Sequence, residues 1–173
     1  MSEGSTGAKD SRSGEKPGRP GERSEPPGRD DGGTVGEPAG RSGQDDTYAL
    51  YRRGLDLLGR GSAAAAAQLL ERASRAEPGS RSILEALARA QFGSRRYAAA
   101  AGSFRRIVEA SPVDDYAQFG LGLALARTGD HGGAAEHLAL AVAMRPDLRH
   151  YCDALRSVRA TLRARDLVQN KDT

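Results

Sequence analysis

The sequence predicts an all-α fold made of three stacked helical hairpins closed by a C-terminal helix. Three observations predict it. Prolines recur at Pro78, Pro112 and Pro146, a step of 34 residues each time. Apolar residues inside each step keep helical spacing, and turn-forming residues fall twice per step. A fixed period of this length marks a supersecondary unit stacked on copies of itself, since a lone hairpin cannot bury its apolar face.

Counting from Thr47, Arg81 and Asp115 gives units 47–80, 81–114 and 115–148, without insertion or deletion. The eighth positions are Gly54, Ala88 and Gly122, and the twentieth are Ala66, Ala100 and Ala134. The twenty-fourth are Leu70, Phe104 and Leu138, and the twenty-seventh are Ala73, Ile107 and Ala141. Positions 20, 24 and 27 share one helix face, being spaced i, i+4, i+7. Small residues at positions 8 and 20 let two antiparallel helices approach, and the larger residue at 24 fills the space beyond. Between the helices lie Gly59, Gly61 and Ser62, then Gly93 and Ser94, then Gly129 and Asp130. Ser62 and Asp130 are candidate N-caps, as are Ser80, Asp114 or Asp115, and Asp147 for the helix after each proline. Proline ends each unit because it cannot continue the hydrogen-bond ladder.

The two ends of the array differ. Positions 7, 10 and 14 read Leu87, Ala90, Ser94 and Leu121, Ala124, Thr128 in the later units, but Arg53, Asp56, Arg60 in the first. That polar stripe predicts that nothing packs before Thr47. At the other end Tyr151, Leu155, Val158 and Leu162 recur at i, i+4, i+7, i+11 and predict a capping helix over 148–166. Arg149, Arg156, Arg159 and Arg163 face water, and residues 168–173 are expected to fray. The alanine-heavy core, Ala63 to Ala67 included, favours helix but buries little area per residue, so modest stability is expected.

Residues 1–46 are of another kind. They hold 11 Gly, 5 Pro and 6 Ser with no aromatic, and such a segment is expected to be disordered because burial cannot offset its ordering entropy. The PxxP at Pro17–Pro20 is a chance feature of that composition. This tail carries a net charge of −3 and the remainder +6. Of 26 basic residues 23 are Arg, which with the Ala and Gly content points to a GC-rich bacterial genome. Cys152 is the single cysteine, so no intrachain disulfide forms and no oxidising compartment is implied. The N-terminus lacks the basic start and apolar run of a secretory signal, and no apolar run approaches about 18 residues, so a cytoplasmic location is expected.

The period, with Ala66-x₃-Leu70, Ala100-x₃-Phe104 and Ala134-x₃-Leu138 each followed by proline, resembles the tetratricopeptide repeat (TPR). The resemblance covers residues 47–148 and extends with the cap to a domain over 47–167. The first helix of each unit fits more loosely, with Leu50, Leu84 and Gln118 where the family has Trp, and Gln91 at position 11 of the second unit. The resemblance implies a right-handed α-α superhelix whose concave groove is lined by positions 2, 5, 9 and 12 of each first helix. Here these are Tyr48, Tyr51, Leu55 and Leu58, then Ser82, Glu85, Arg89 and Phe92, then Tyr116, Phe119, Leu123 and Ala126. Five of the eight aromatic residues fall on that stripe. It implies a non-enzymatic adaptor that holds a peptide or helix of another protein, with Glu85, Arg89 and Arg127 adding polar selectivity. Family members that clamp a chaperone's terminal carboxylate use basic residues and Asn where this chain has Tyr51, Leu55, Ala86, Tyr116 and Gly120. None of these pairs with a carboxylate, so that ligand is not expected.

Other chemistries find little support. His131 and His137 point to different sides of a helix, and His150-x-Cys152 is too short for zinc, so no metal or cofactor is expected. No phosphate loop follows a strand and no nucleophile–base grouping stands out, so catalysis is not expected. The rival function is a nucleic-acid- or ribosome-associated factor using Arg95, Arg96, Arg105, Arg106 and the last-helix arginines, although Glu71, Glu109, Asp153 and Asp166 interrupt that charge. A self-associating scaffold is the third possibility. The acidic tail lying over the basic body as a lid is a further expectation.

Overall fold

The 34-residue step reappears as the starts of alternate helices, at Arg81, Asp115 and Arg149. The computed structural model describes residues 39–170, and the expectations for residues 1–38 and 171–173 lie outside them. Among the described residues there are seven helices and no strand: α1 (Ala39–Gly59), α2 (Ala63–Ala76), α3 (Arg81–Gly93), α4 (Tyr97–Ala110), α5 (Asp115–Thr128), α6 (His131–Met144) and α7 (Arg149–Gln169). Each helix packs on the next in the chain, and the whole is an all-α right-handed superhelix.

Close approach within hairpins follows from the small residues. A Cβ on Gly54 would lie 2.6 Å from Leu70 Cγ, and one on Gly122 would lie 2.7 Å from Leu138 Cγ. Leu70 and Leu138 are fully buried, each filling the space its glycine leaves. The stripe at positions 7, 10 and 14 behaves as the sequence suggests at 7 and 10, while at 14 Ser94 is half-buried and Thr128 exposed. Leu87, Ala90, Leu121 and Ala124 are buried under the preceding hairpin, while Arg53, Asp56 and Arg60 are exposed. α7 covers the last hairpin through Tyr151, Leu155 and Val158.

Both helical ends run further than expected. Residues 39–46, assigned to the tail by composition, are the first turns of α1. Extending a formed helix gains a hydrogen bond per residue without a new nucleus, and the nearest breaker upstream of Thr47 is Pro38, not the glycines. Thr47 Oγ1 donates to the Gly43 carbonyl at 2.8 Å within that extension. At the other end α7 passes the expected stop at 166 and continues through Leu167 and Val168 to Gln169, for the same reason.

The caps sort by charge. Asp114 accepts from the Ala117 amide at 3.0 Å and Asp130 from the Gly133 amide at 2.9 Å. Ser62 and Ser80 occupy N-cap positions without a side-chain bond, and Asp147 pairs with Arg145 while Leu148 takes the cap. A carboxylate at a helix start gains from the axial dipole as well as the hydrogen bond, which a hydroxyl does not. Asp114 also receives the Arg81 guanidinium, so one carboxylate ties the start of the second unit to the start of the third.

The unusual glutamines are paired. Gln91 Oε1 accepts from Ser103 Oγ at 2.7 Å, and Gln118 Nε2 donates to the Pro112 carbonyl at 2.9 Å. That leaves Gln118 Oε1 facing His137 Nδ1 at 2.7 Å, so Nδ1 carries the proton. Ser103 and His137 occupy the same position of successive units, where the first unit has Leu69. A polar residue from the first helix therefore meets a polar residue from the second, and no buried side-chain polar atom is left without a partner among the described residues.

Candidate functional site

Which helices line the inner curve follows from packing. α1 touches α3, α3 touches α5 and α5 touches α7, whereas α2, α4 and α6 do not touch one another. In a curved two-layer stack the closer-spaced layer is the concave one. The inner layer is therefore α1, α3, α5 and α7, the first three of which carry the aromatic stripe.

None of the five stripe aromatics is buried. Tyr48 is 59% exposed and Tyr116 37%, and Tyr51, Phe92 and Phe119 are half-buried. The structure does not join them into one continuous trough. Arg89, Phe92, Tyr116, Phe119 and Leu123 converge on a cavity of about 170 Å³ between the second and third units. Tyr48 and Tyr51 line a separate cavity of about 190 Å³ with Glu77, Ser82 and Ile83. Leu55 and Leu58 pack, half-buried, against the core of the first hairpin. Glu85 is held by Arg81 at 3.2 Å. Arg127 lies over the Tyr97 ring, 5.7 Å from its centre, and Tyr97 meets Phe92 edge-on at 5.2 Å.

The first cavity has a floor that the groove stripe does not include. Phe104, from α4, reaches through to it because Gly120 of α5 has no side chain, and a Cβ there would clash with the Phe104 ring. The sequence holds the two sizes but not their contact: the bulkiest residue at position 24 is Phe104, and position 6 of the next unit is a glycine. Phe104 meets Tyr116 edge-on at 6.3 Å. Burial raises the Tyr116 phenol above its ordinary pKa and the neighbouring Arg89 offsets part of that, so the ring stays neutral.

Phe119 has a second task. It stacks on Tyr151 at 4.2 Å and 18°, and meets His150 edge-on at 5.3 Å. The buried Tyr151 hydroxyl donates to Asp115 at 2.9 Å, and burial together with that bond pushes its pKa up. One face of Phe119 therefore secures the cap helix, while its exposed edge serves the cavity. His150, exposed on α7, sets a ring beside Phe119 that the stripe did not name.

A sequence profile described as tetratricopeptide repeat matches residues 51–115 and again 85–149, together more than half of the chain. The chain belongs to the tetratricopeptide-repeat family. No curated protein sequence matches it. Among solved structures it is similar to an RS-1 MamA double mutant, with a TM-score of 0.66 at 21% identity over 70% of this chain and 68% of that one. A further MamA crystal structure gives 0.65 at 19% identity, over 73% and 74%. The first TPR domain of Spaghetti (RPAP3), bound to the HSP90 peptide SRMEEVD, gives 0.63 at 17% identity, over 68% and 94%. These likenesses show the fold, and TPR repeats are typically non-enzymatic interaction modules. No helix among the described residues is long and apolar enough to cross a membrane.

Proposed function

We propose that this TPR protein is an adaptor that holds a peptide or helix of a partner protein against its concave face. One observation carries the reading. Five aromatic rings occupy a single stripe of the inner helices and all keep solvent-exposed area, with three of them converging on one apolar cavity. Aromatic rings at such a place bury much area on binding while losing few torsions. Against the HSP90 peptide bound by the RPAP3 domain as a ligand here stands the lack of any cation at Tyr51, Leu55, Ala86, Tyr116 and Gly120 to clamp a carboxylate.

The nucleic-acid alternative is weaker in three dimensions than in sequence. Arg96 pairs with Glu71 at 2.6 Å, Arg106 donates to the Pro78 carbonyl at 2.6 Å, and Arg156 pairs with Asp153 at 3.1 Å. Part of the basic face is thus engaged within the fold.

The test is affinity capture from the source cell with wild type and a Tyr51→Ala, Tyr116→Ala double variant. Tyr116 is a cleaner probe than Phe119, because Phe119 also supports α7. Loss of a specific partner by the variant, with helicity unchanged by circular dichroism, is the expected result. Undiminished recovery would move the binding surface away from the groove.

A further inference from the structure

The cavity between α3, α4 and α5 specifies its occupant, on the reading that the concave face binds a partner. Its volume of about 170 Å³ is close to the roughly 150 Å³ that holds one benzene ring in an engineered apolar cavity. Its walls are Phe92, Phe104, Tyr116, Phe119 and Leu123, and its one charged residue is Arg89. Arg89 is exposed and has no carboxylate partner among the described residues, because the adjacent Glu85 is taken by Arg81. Arg127, over the Tyr97 ring that abuts Phe92, is a second guanidinium without a carboxylate partner among them. An apolar socket for one ring thus sits beside Arg89, with Arg127 one ring further off, and neither cation has a carboxylate partner among the described residues.

We propose that this socket takes a single phenylalanine-sized side chain of a partner polypeptide whose flanking residues are acidic. Carboxylates beside the anchor meet Arg89 and Arg127, while lysines there meet like charge. The chain does not supply this segment from its own N-terminal region, since residues 1–38 contain no aromatic residue, Leu or Ile. The end of α7 from a second copy offers a poorer match, because its exposed Leu167 and Val168 follow Arg163 and Arg165 as well as Asp166, a net basic flank.

The experiment is a display selection of random peptides against the full chain, run in parallel on wild type and Arg89→Glu, followed by fluorescence anisotropy with the best peptide. The expected family shares one Phe, Tyr or Leu with Asp or Glu nearby. Replacing that residue by Ala should weaken binding by about tenfold or more. Arg89→Glu, an exposed change whose folding circular dichroism checks, should weaken it by about threefold or more and enrich less acidic peptides. An enriched family with basic flanks, or with no shared bulky residue, overturns the inference; the groove reading survives if Tyr51→Ala, Tyr116→Ala still abolishes that binding. Absence of any enriched family, or one indifferent to the groove variant, overturns the groove reading and this inference with it. A concentration-dependent rise in mass by light scattering, abolished by Tyr116→Ala in the socket wall, assigns the socket to a second copy and overturns the external partner.

Discussion

The first and third hairpins share a length and a pattern, yet they sit in different surroundings. Around the first, buried Ala66, Ala67 and Leu70 meet Ala86, Leu87 and Ala90 of α3, and among the described residues no helix packs before α1. The third is enclosed by α4 and α7 and belongs to a larger cluster that runs from Leu84 through Phe104, Leu121 and Leu138 to Leu155 and Val158. In a linear array stability is the sum of unit and neighbour terms, so the unit with one neighbour opens first. Identical sequence positions should therefore carry unequal weight.

The largest effect is expected from truncating position 24. Leu138→Ala and Leu70→Ala both empty a fully buried site, for which losses of about 2–5 kcal/mol are usual. Leu138 should fall near the upper end and lower the stability of the whole domain in urea. Leu70 should cost less globally, because its unit can open while the rest stays folded. Hydrogen exchange should show α1 and α2 amides less protected than those of α5 and α6, and equal protection would end the distinction.

A smaller contrast is expected from filling the helix contacts. Gly122→Ala places a methyl 2.7 Å from Leu138 Cγ and 3.1 Å from the Ala134 carbonyl, and α5 has neighbours on both sides. The three nearest atoms that Gly54→Ala would meet all belong to the flexible Leu70 side chain, and α1 lies at the end of the described array. Overpacking of this sort costs about 1–3 kcal/mol, and Gly122→Ala should lie above Gly54→Ala by thermal or urea melts.

Comparison of units also shows what the sequence does and does not reveal. Period, helix number and the glycine–leucine contacts are legible because they depend on spacing and size, which recur. The division of the aromatic stripe is not, because it depends on Phe104 entering from the outer layer through Gly120, a contact between units that no single helix wheel displays. The end of the tail was misplaced because composition describes a segment, whereas a helix stops at a particular breaker. The polar glutamines looked like departures from the pattern until Ser103 and His137 proved to stand opposite them.

The turn between helices supplies a stabilising change. Gly61 and Gly129 adopt φ of 77° and 92°, and the equivalent residue of the second unit, Arg95, adopts 62°. Left-handed backbone is strained for a residue with a Cβ and not for glycine. Arg95→Gly should therefore raise stability by about 0.5–1 kcal/mol in a urea titration. A loss would show that the Arg95 side chain contributes more than its backbone costs.

The smallest effect separates the second hairpin from the third through acid. The polar pair in one is Gln91 with Ser103, which does not titrate; in the other it is Gln118 with His137. Burial holds the His137 pKa below its ordinary value of 6.5, with Arg105 acting in the same direction and Glu136 and Asp130 opposing. The unfolded chain then binds the proton more readily than the folded one. The contribution is complete above about pH 6.5 and is lost as pH falls from there through the lower folded value. Protonation also places a donor on both ring nitrogens, yet only Nδ1 has Gln118 Oε1 to meet. The urea midpoint should drop between pH 7.5 and 5.5 by more in wild type than in His137→Gln, which retains a polar side chain but not the titration. Matching drops in the two proteins would assign the acid sensitivity to the surface carboxylates and leave the hairpins alike in this respect.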